Sequence, residues 1–248
     1  SRHGFRSTFY LCPPAPSQRH EYDALYALTD RVGFEGGRVT VAAMFRALAG
    51  RGFELGLHGG YLSHRSAEEL ALACASHGAE PEHLRIAERM LASMGLEEGD
   101  LACGPHEPLS SHGARLWRES GQPLTRLHNN CSGKHSAMLA RAHTMGWPTR
   151  GYQRIDHQVQ RACLAEVSCW TGVPLDDMPV GVDGCGAAVM ALPLDRMALA
   201  YARLGAAIAA GDEVPARIAS AVRAHPTLVG GSDRFDTIVL QESQGRAF

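Results

Sequence analysis

From about residue 63 onward, apolar positions recur at helical spacing and are separated by turn residues. Ser66 followed by Glu69 is a capping-box pattern, opening a helix that runs towards Cys74 and stops at the Ser76-His77-Gly78 turn. Pro81, suited to a first helical position, opens a second helix with Leu84, Ala87, Leu91 and Met94 on one stripe and Gly95 at its end. A third begins near Ser132, carries Met138, Ala142 and Met145 at helical spacing, and stops at Gly146 before Pro148. A fourth spans roughly 157–170, buries Val159, Cys163, Val167 and Trp170, and closes at Gly172. Two more are expected at 195–210 and 214–224, with Val189–Leu192 and Thr237–Leu240 as short buried strands. Helices dominate and the strands do not alternate with them regularly. The pattern therefore favours α+β over a doubly wound α/β sheet.

Residues 5 to about 62 read differently. Cys12-Pro13-Pro14-Ala15-Pro16 excludes a helix, and Gly33–Gly37, with three glycines in five positions, reads as a loop. Val39–Leu48 fits a helix or a strand equally well. The chain is accordingly divided into an atypical segment, 1–62, and a domain, 63–248. Ser1-Arg2-His3-Gly4 carries neither an initiator Met nor an apolar signal segment, which points to a fragment or a processed start.

Bulk properties narrow the class. The 248 residues, 45% apolar and 20% charged, suit a folded protein with a proper core. A net charge of -2 gives no reason to expect nucleic acid or an acidic membrane as partner, and no apolar run is long enough to span a bilayer. The cytoplasm is the expected compartment. Seven cysteines, from Cys12 to Cys185, follow no framework spacing and argue for reduced thiols; Cys74 and Cys163 lie in apolar helical patterns and read as core filler. Lys134 is the only lysine, so every other basic residue is an arginine. Unlike arginine, a lysine can lose its proton and act as a base or a ligand.

The densest polar cluster is His128-Asn129-Asn130-Cys131-Ser132-Gly133-Lys134-His135, leading into the third helix. Cys131, at or beside the N-cap, would feel the helix dipole, which favours a thiolate; Lys134, three residues on, shares its face. An ordinary polar cap with a solvated lysine carries about equal weight on these residues alone. A phosphate loop is excluded: His128 stands where its first glycine belongs, and His135 follows the lysine instead of Ser or Thr. In Val182-Asp183-Gly184-Cys185-Gly186 the glycines permit a tight turn that leaves the thiol accessible, and Asp183 can accept a hydrogen bond or a cation; a plain turn with a buried cysteine explains it equally. Ser76-His77 is weak as a catalytic pair, because adjacent residues rarely point at each other, and Gly230–Thr237 reads as a capped turn.

Together these clusters are more specific. Glu69–His83 (ELALACASHGAEPEH), Leu127–Leu139 (LHNNCSGKHSAML), Val180–Leu194 (VGVDGCGAAVMALPL) and Val229–Thr237 (VGGSDRFDT) occur in order and closely resemble the L-asparaginase II family, the Rhizobium-type, zinc-dependent asparaginases. The resemblance spans about 63–244, with NNCSGKH and DGCG its most specific segments. It implies a fold similar to serine β-lactamases and glutaminases, a mixed sheet flanked by helices, here incomplete at both ends. It implies a homodimer that hydrolyses L-asparagine to L-aspartate and ammonia. It implies zinc held by Cys131, Lys134 and Cys185, with His135 and Asp183 near the metal orienting the substrate. Thiolates are good zinc ligands, and a lysine joins only as neutral amine.

The family's nucleophiles are serines activated by lysines, and Ser76 matches one of them. The lysine partner of that serine lies in a part of the family pattern beyond Phe248, and the other pair, a Ser-x-x-Lys segment, falls near Met44-Phe45-Arg46-Ala47, where neither residue type occurs. With Lys134 given to zinc, no lysine is left to activate a serine, and arginine cannot substitute. A shifted reading frame over residues 5–62 and an early C-terminus account for these departures. The expectation is bound zinc with very weak or absent turnover. Two other readings stand beside it: a catalytically inert zinc-binding or interaction protein, and a cysteine-nucleophile amidase using Cys131 with His135.

Overall fold

The computed structural model describes residues 31–34, 37–40 and 66–243. Two short antiparallel hairpins accompany a predominantly helical body. Strands β1 (Arg31–Phe34) and β2 (Gly37–Thr40) pair from Arg31↔Thr40 to Phe34↔Gly37. The sequence reads Gly33–Gly37 as loop, but Gly33 and Gly37 both lie in strands, Gly33 paired with Arg38 and Gly37 with Phe34. Cys12–Pro16, residues 41–48 of the ambiguous segment, and Met44–Ala47 lie outside the described residues.

Helices α1 (Ala67–Ala73), α2 (Pro81–Ala92), α3 (Ser111–Ser120), α4 (Ser132–Met145) and α5 (Gln158–Thr171) precede the second hairpin, β3 (Val180–Val182) with β4 (Ala188–Met190). Helices α6 (Leu194–Ala210), α7 (Glu213–Ala224), α8 (Pro226–Val229) and α9 (Phe235–Glu242) follow. Among the described residues the strands form two separate two-stranded sheets, which agrees with an α+β class.

The sequence signals explain most boundaries. Ser66 caps α1, its hydroxyl accepting from the Glu69 N–H at 3.2 Å, while the Glu69 carboxylate accepts from Arg89 of α2. Left-handed glycines close α4 (Gly146, φ 67°) and α5 (Gly172, φ 68°). Two expectations fail. Thr237–Leu240 is helix, not strand, because four apolar or β-branched residues are too few to separate a period of 2 from one of 3.6. Helix α1 ends at Ala73 with Cys74 as its cap, short of the Ser76-His77-Gly78 turn, so Ser76 lies outside the helix.

The core lies between α1, α2 and α4, where Leu72, Ile86, Met90, Leu91 and Leu139 are buried with Leu101, Tyr152 and Val159. Helix α1 also packs on α7 and α8, and α5 on α6. Cys163 packs against this core as expected, whereas Cys74 is exposed. Helix α6 buries none of its residues fully, although it is largely apolar. A groove of about 820 Å³ runs between α5, α6, α7 and α9, walled by Trp170, Tyr201, Ile218 and Phe235.

Candidate functional site

The site forms where the N-terminus of α4 meets the tip of the β3–β4 hairpin. A short helical turn, Arg126–His128, delivers the chain to Asn129, whose carbonyl oxygen accepts from Cys131 N–H at 2.9 Å while its amide donates to Gly104 O at 2.7 Å. Cys131 is thereby fixed as the N-cap of α4. Ser132 is held from behind. Ala79 N–H donates to His77 Nδ1, so the ring proton sits on Nε2 and donates to Ser132 Oγ at 2.9 Å, and that hydroxyl donates to Leu127 O at 3.0 Å. Gly133 lets α4 lie against α1: a Cβ there would stand 2.3 Å from the carbonyl oxygen of Leu72.

On the other side, the hairpin tip turns through Asp183–Ala187. Asp183 N–H donates to Ala187 O at 2.9 Å, Gly186 N–H to Asp183 O at 2.8 Å, and Gly186 takes a left-handed φ of 87°. This turn delivers Cys185 to the α4 terminus, and the two sulfurs of Cys131 and Cys185 and a carboxylate oxygen of Asp183 all lie within 4.8 Å of one another. Lys134 Nζ stands 3.4 Å from Asp183 Oδ2, and the Cys185 thiol donates to the same oxygen at 3.2 Å. Residues about fifty positions apart thus meet at one point.

The electrostatics correct two expectations. Burial pushes the Cys131 thiol up to about 11, outweighing the Lys134 charge, so the helix terminus does not by itself yield a thiolate. Cys185 is buried, not accessible, because its turn folds inward onto α4. Burial pulls the Lys134 ammonium down, but Cys131, Cys185 and Asp183 more than reverse this and hold it above its ordinary value. Hydrogen bonds from Cys185 and the Gly184 N–H, with Lys134 nearby, hold the Asp183 carboxyl below its own.

His135 adjoins Lys134 in the first turn of α4 and is fully buried. Burial, and then the neighbouring Lys134 charge, lower it to about 4. Its Nδ1 lies 2.6 Å from the Tyr152 hydroxyl, and its Nε2 has no partner. Cys131 therefore has no hydrogen bond to His135, and the two do not form a nucleophile–base pair. Ser76 is exposed and reaches the site through Asn130, whose Nδ2 donates to Ser76 Oγ at 2.8 Å. The backbone joins the same segments, His77 N–H donating to Asn130 O and Ser76 N–H to Val229 O. Asn130 and Tyr152 are contacts that motif reading leaves unassigned; Asn130 stood inside the quoted cluster, while Tyr152 gave no signal.

The donor set is one that could hold a metal ion. Two thiols, one amine and one carboxylate around one point suit a borderline-soft divalent ion such as zinc. The described residues form a helical α+β protein in which two cysteines, a lysine and an aspartate meet at a helix terminus. The sequence profile of L-asparaginase II matches residues 53–248, most of the chain, and the protein belongs to the L-asparaginase II family. No curated protein matches the chain.

Proposed function

We propose that the chain carries an L-asparaginase-type amidohydrolase site for the side-chain amide of L-asparagine, with zinc held by Cys131, Lys134 and Cys185. The observation that carries the reading is the convergence of those three side chains with Asp183, in a chain of this family. Zinc, when bound, supplies a fixed positive charge that favours thiolate ligands and ties the hairpin tip to α4. Lys134 must give up a proton to ligate, and Asp183, which holds it as an ammonium, is then free to accept from the substrate's ammonium or amide. Ser76 is the nucleophile of the reading: Asn130 donates to its oxygen, which leaves the hydroxyl proton free to pass to a base. The amine that would take that proton is absent from the sequence, since Lys134 is the only lysine. An assay of these 248 residues is therefore expected to show little turnover, and the inert zinc-binding reading is the second one this lysine count favours. The cysteine-nucleophile reading lacks its Cys131–His135 contact.

The same resemblance supports a fold similar to serine β-lactamases and glutaminases, a homodimer, and a cytoplasmic setting; no helix among the described residues is long and apolar enough to cross a membrane. The division at residue 62 rests on sequence pattern, and the family match begins ten residues earlier, at 53. Metal analysis combined with ammonia release from asparagine and glutamine tests the reading. Zinc with ammonia supports an active enzyme, zinc without ammonia the inert form, and a folded chain that takes up no zinc would sink both.

A further inference from the structure

Tyr152 is 1% exposed and plays no part in the chemistry above. It sits between α4 and α5, and its ring meets that of His135 edge-on, with centroids 5.4 Å apart. Its hydroxyl oxygen accepts from the Ala102 backbone N–H at 2.9 Å and lies 2.6 Å from His135 Nδ1. These two contacts fix where the protons are. A phenol oxygen that already accepts a backbone N–H still has its own O–H to place, and leaving that O–H buried without an acceptor is unfavourable. Among the described residues, His135 Nδ1 is the acceptor within reach. The hydroxyl donates to Nδ1, Nδ1 carries a lone pair, and the proton of the neutral imidazole is on Nε2.

That Nε2–H is enclosed and has no partner among the described residues. Native proteins rarely leave a buried donor open, and here it belongs to the residue next to Lys134 in the first turn of α4, one turn from the Cys131 cap. We infer that Tyr152 is a positioning residue: it holds His135 as an Nε2–H donor kept for an oxygen ligand at the Cys131–Lys134–Asp183–Cys185 site. The ligand chemistry is a single kind, an oxygen lone pair, with two sources, water on the metal or an oxygen of the amino-acid substrate. The identity of that ligand rests on the asparaginase reading; the tautomer does not, since it follows from counting donors and acceptors.

The test uses the whole chain, labelled with ¹⁵N, and long-range ¹H–¹⁵N correlation of its histidine rings, with His135 assigned by its loss in His135→Gln. The unaltered protein should show His135 Nδ1 as an unprotonated, hydrogen-bonded nitrogen and Nε2 as the protonated one. Tyr152→Phe should abolish that asymmetry and leave the two tautomers exchanging. A protonated Nδ1 in the unaltered chain overturns the inference with no need of a variant, and so does an unchanged pattern in a folded Tyr152→Phe. Zinc is then added, followed by L-aspartate as probe. A shift of the Nε2–H proton on zinc alone supports the metal-bound water; a shift only on L-aspartate supports the substrate oxygen. No shift with either, while zinc binds, overturns the donor role. Failure of zinc to bind, with Nδ1 still the acceptor, counts against the asparaginase reading while the tautomer assignment stands.

Discussion

Gly133 and the two thiols around it define the site at the scale of single atoms. The nearest obstacles to a side chain at Gly133 are the backbone carbonyl of Leu72 and that residue's own side chain, both on α1. A flexible side chain can swing aside, whereas a helical carbonyl cannot without moving its helix. Gly133→Ala should therefore lower stability by about 2 kcal/mol, within the range for overpacking, as read from urea melts. A change under about 0.5 kcal/mol, the size of an ordinary surface substitution, would mean that α1 and α4 separate easily. The proposed metal ligands make a sharper prediction. Cys131→Ser or Cys185→Ser should drop zinc from about one per chain to nearly none, by the loss of one of few strong ligands, whereas Cys163→Ser, which packs against the core, should leave it unchanged. Equal loss in all three would point to unfolding.

The buried histidines give a pH dependence at the same scale. His77 is fully buried and stacks on His83 with ring centroids 4.8 Å apart. Burial, and next the neighbouring His83, hold His77 well below its ordinary value, and burial also lowers His83 and His128. Each is depressed in the folded chain, so the unfolded chain binds more protons once pH falls below about 6.5, the ordinary histidine value. Stability is thus full above about pH 6.5 and declines as pH falls towards the depressed folded values. Denaturant midpoints measured between pH 8 and 5 should show that fall, and His77→Gln, which cannot titrate, should flatten it.

Elements that carry a start signal, a stripe and a stop were readable in the sequence. Helix α2 has Pro81 at its start and Gly95 just past its end, and α4 and α5 end on left-handed glycines; all three were expected within a few residues of where they stand. Helix α3 was not, although it has an N-cap in Ser110 and a left-handed stop in Gly121. Its residues Ser111–Ser120 are mostly polar and it buries only Gly113 and Ala114, so its apolar positions were too few to mark it out. The site was legible as two separate motifs, but their meeting depends on the β3–β4 turn, which local pattern does not reveal. Nor does local pattern show the contact that steadies Ser76. The Glu80 carboxylate, buried at the start of α2, accepts from both the N–H and the hydroxyl of Ser232, at 2.6 Å each. The loop so fastened begins just after Val229, whose carbonyl accepts from Ser76 N–H. Removing the charged acceptor forfeits bonds of about 1.5–3 kcal/mol. Glu80→Ala is therefore expected to speed hydrogen exchange at Ser76 and Ser232, with little effect on the middle of α4; equal acceleration everywhere would indicate global unfolding instead.

The whole molecule has a side that its own described residues do not cover. Met197 is 41%, Tyr201 63% and Phe235 76% exposed; they belong to α6 and α9 and line the apolar groove. Single exposed apolar residues are ordinary, but a concentration on two adjoining walls of one groove calls for a covering surface. On the homodimer reading that cover is a second copy of the chain, and an isologous contact would place the same patch on both partners. Sedimentation should then give a dimer, and Tyr201→Glu with Phe235→Glu should shift it towards monomer, because two charges would be desolvated at the centre of the contact. Zinc content should be unaffected, since the ligands lie on α4 and the hairpin tip and not on α6 or α9. A chain that stays monomeric at every concentration would remove the second copy as the cover, and a dimer untouched by both charges would move the contact to another face.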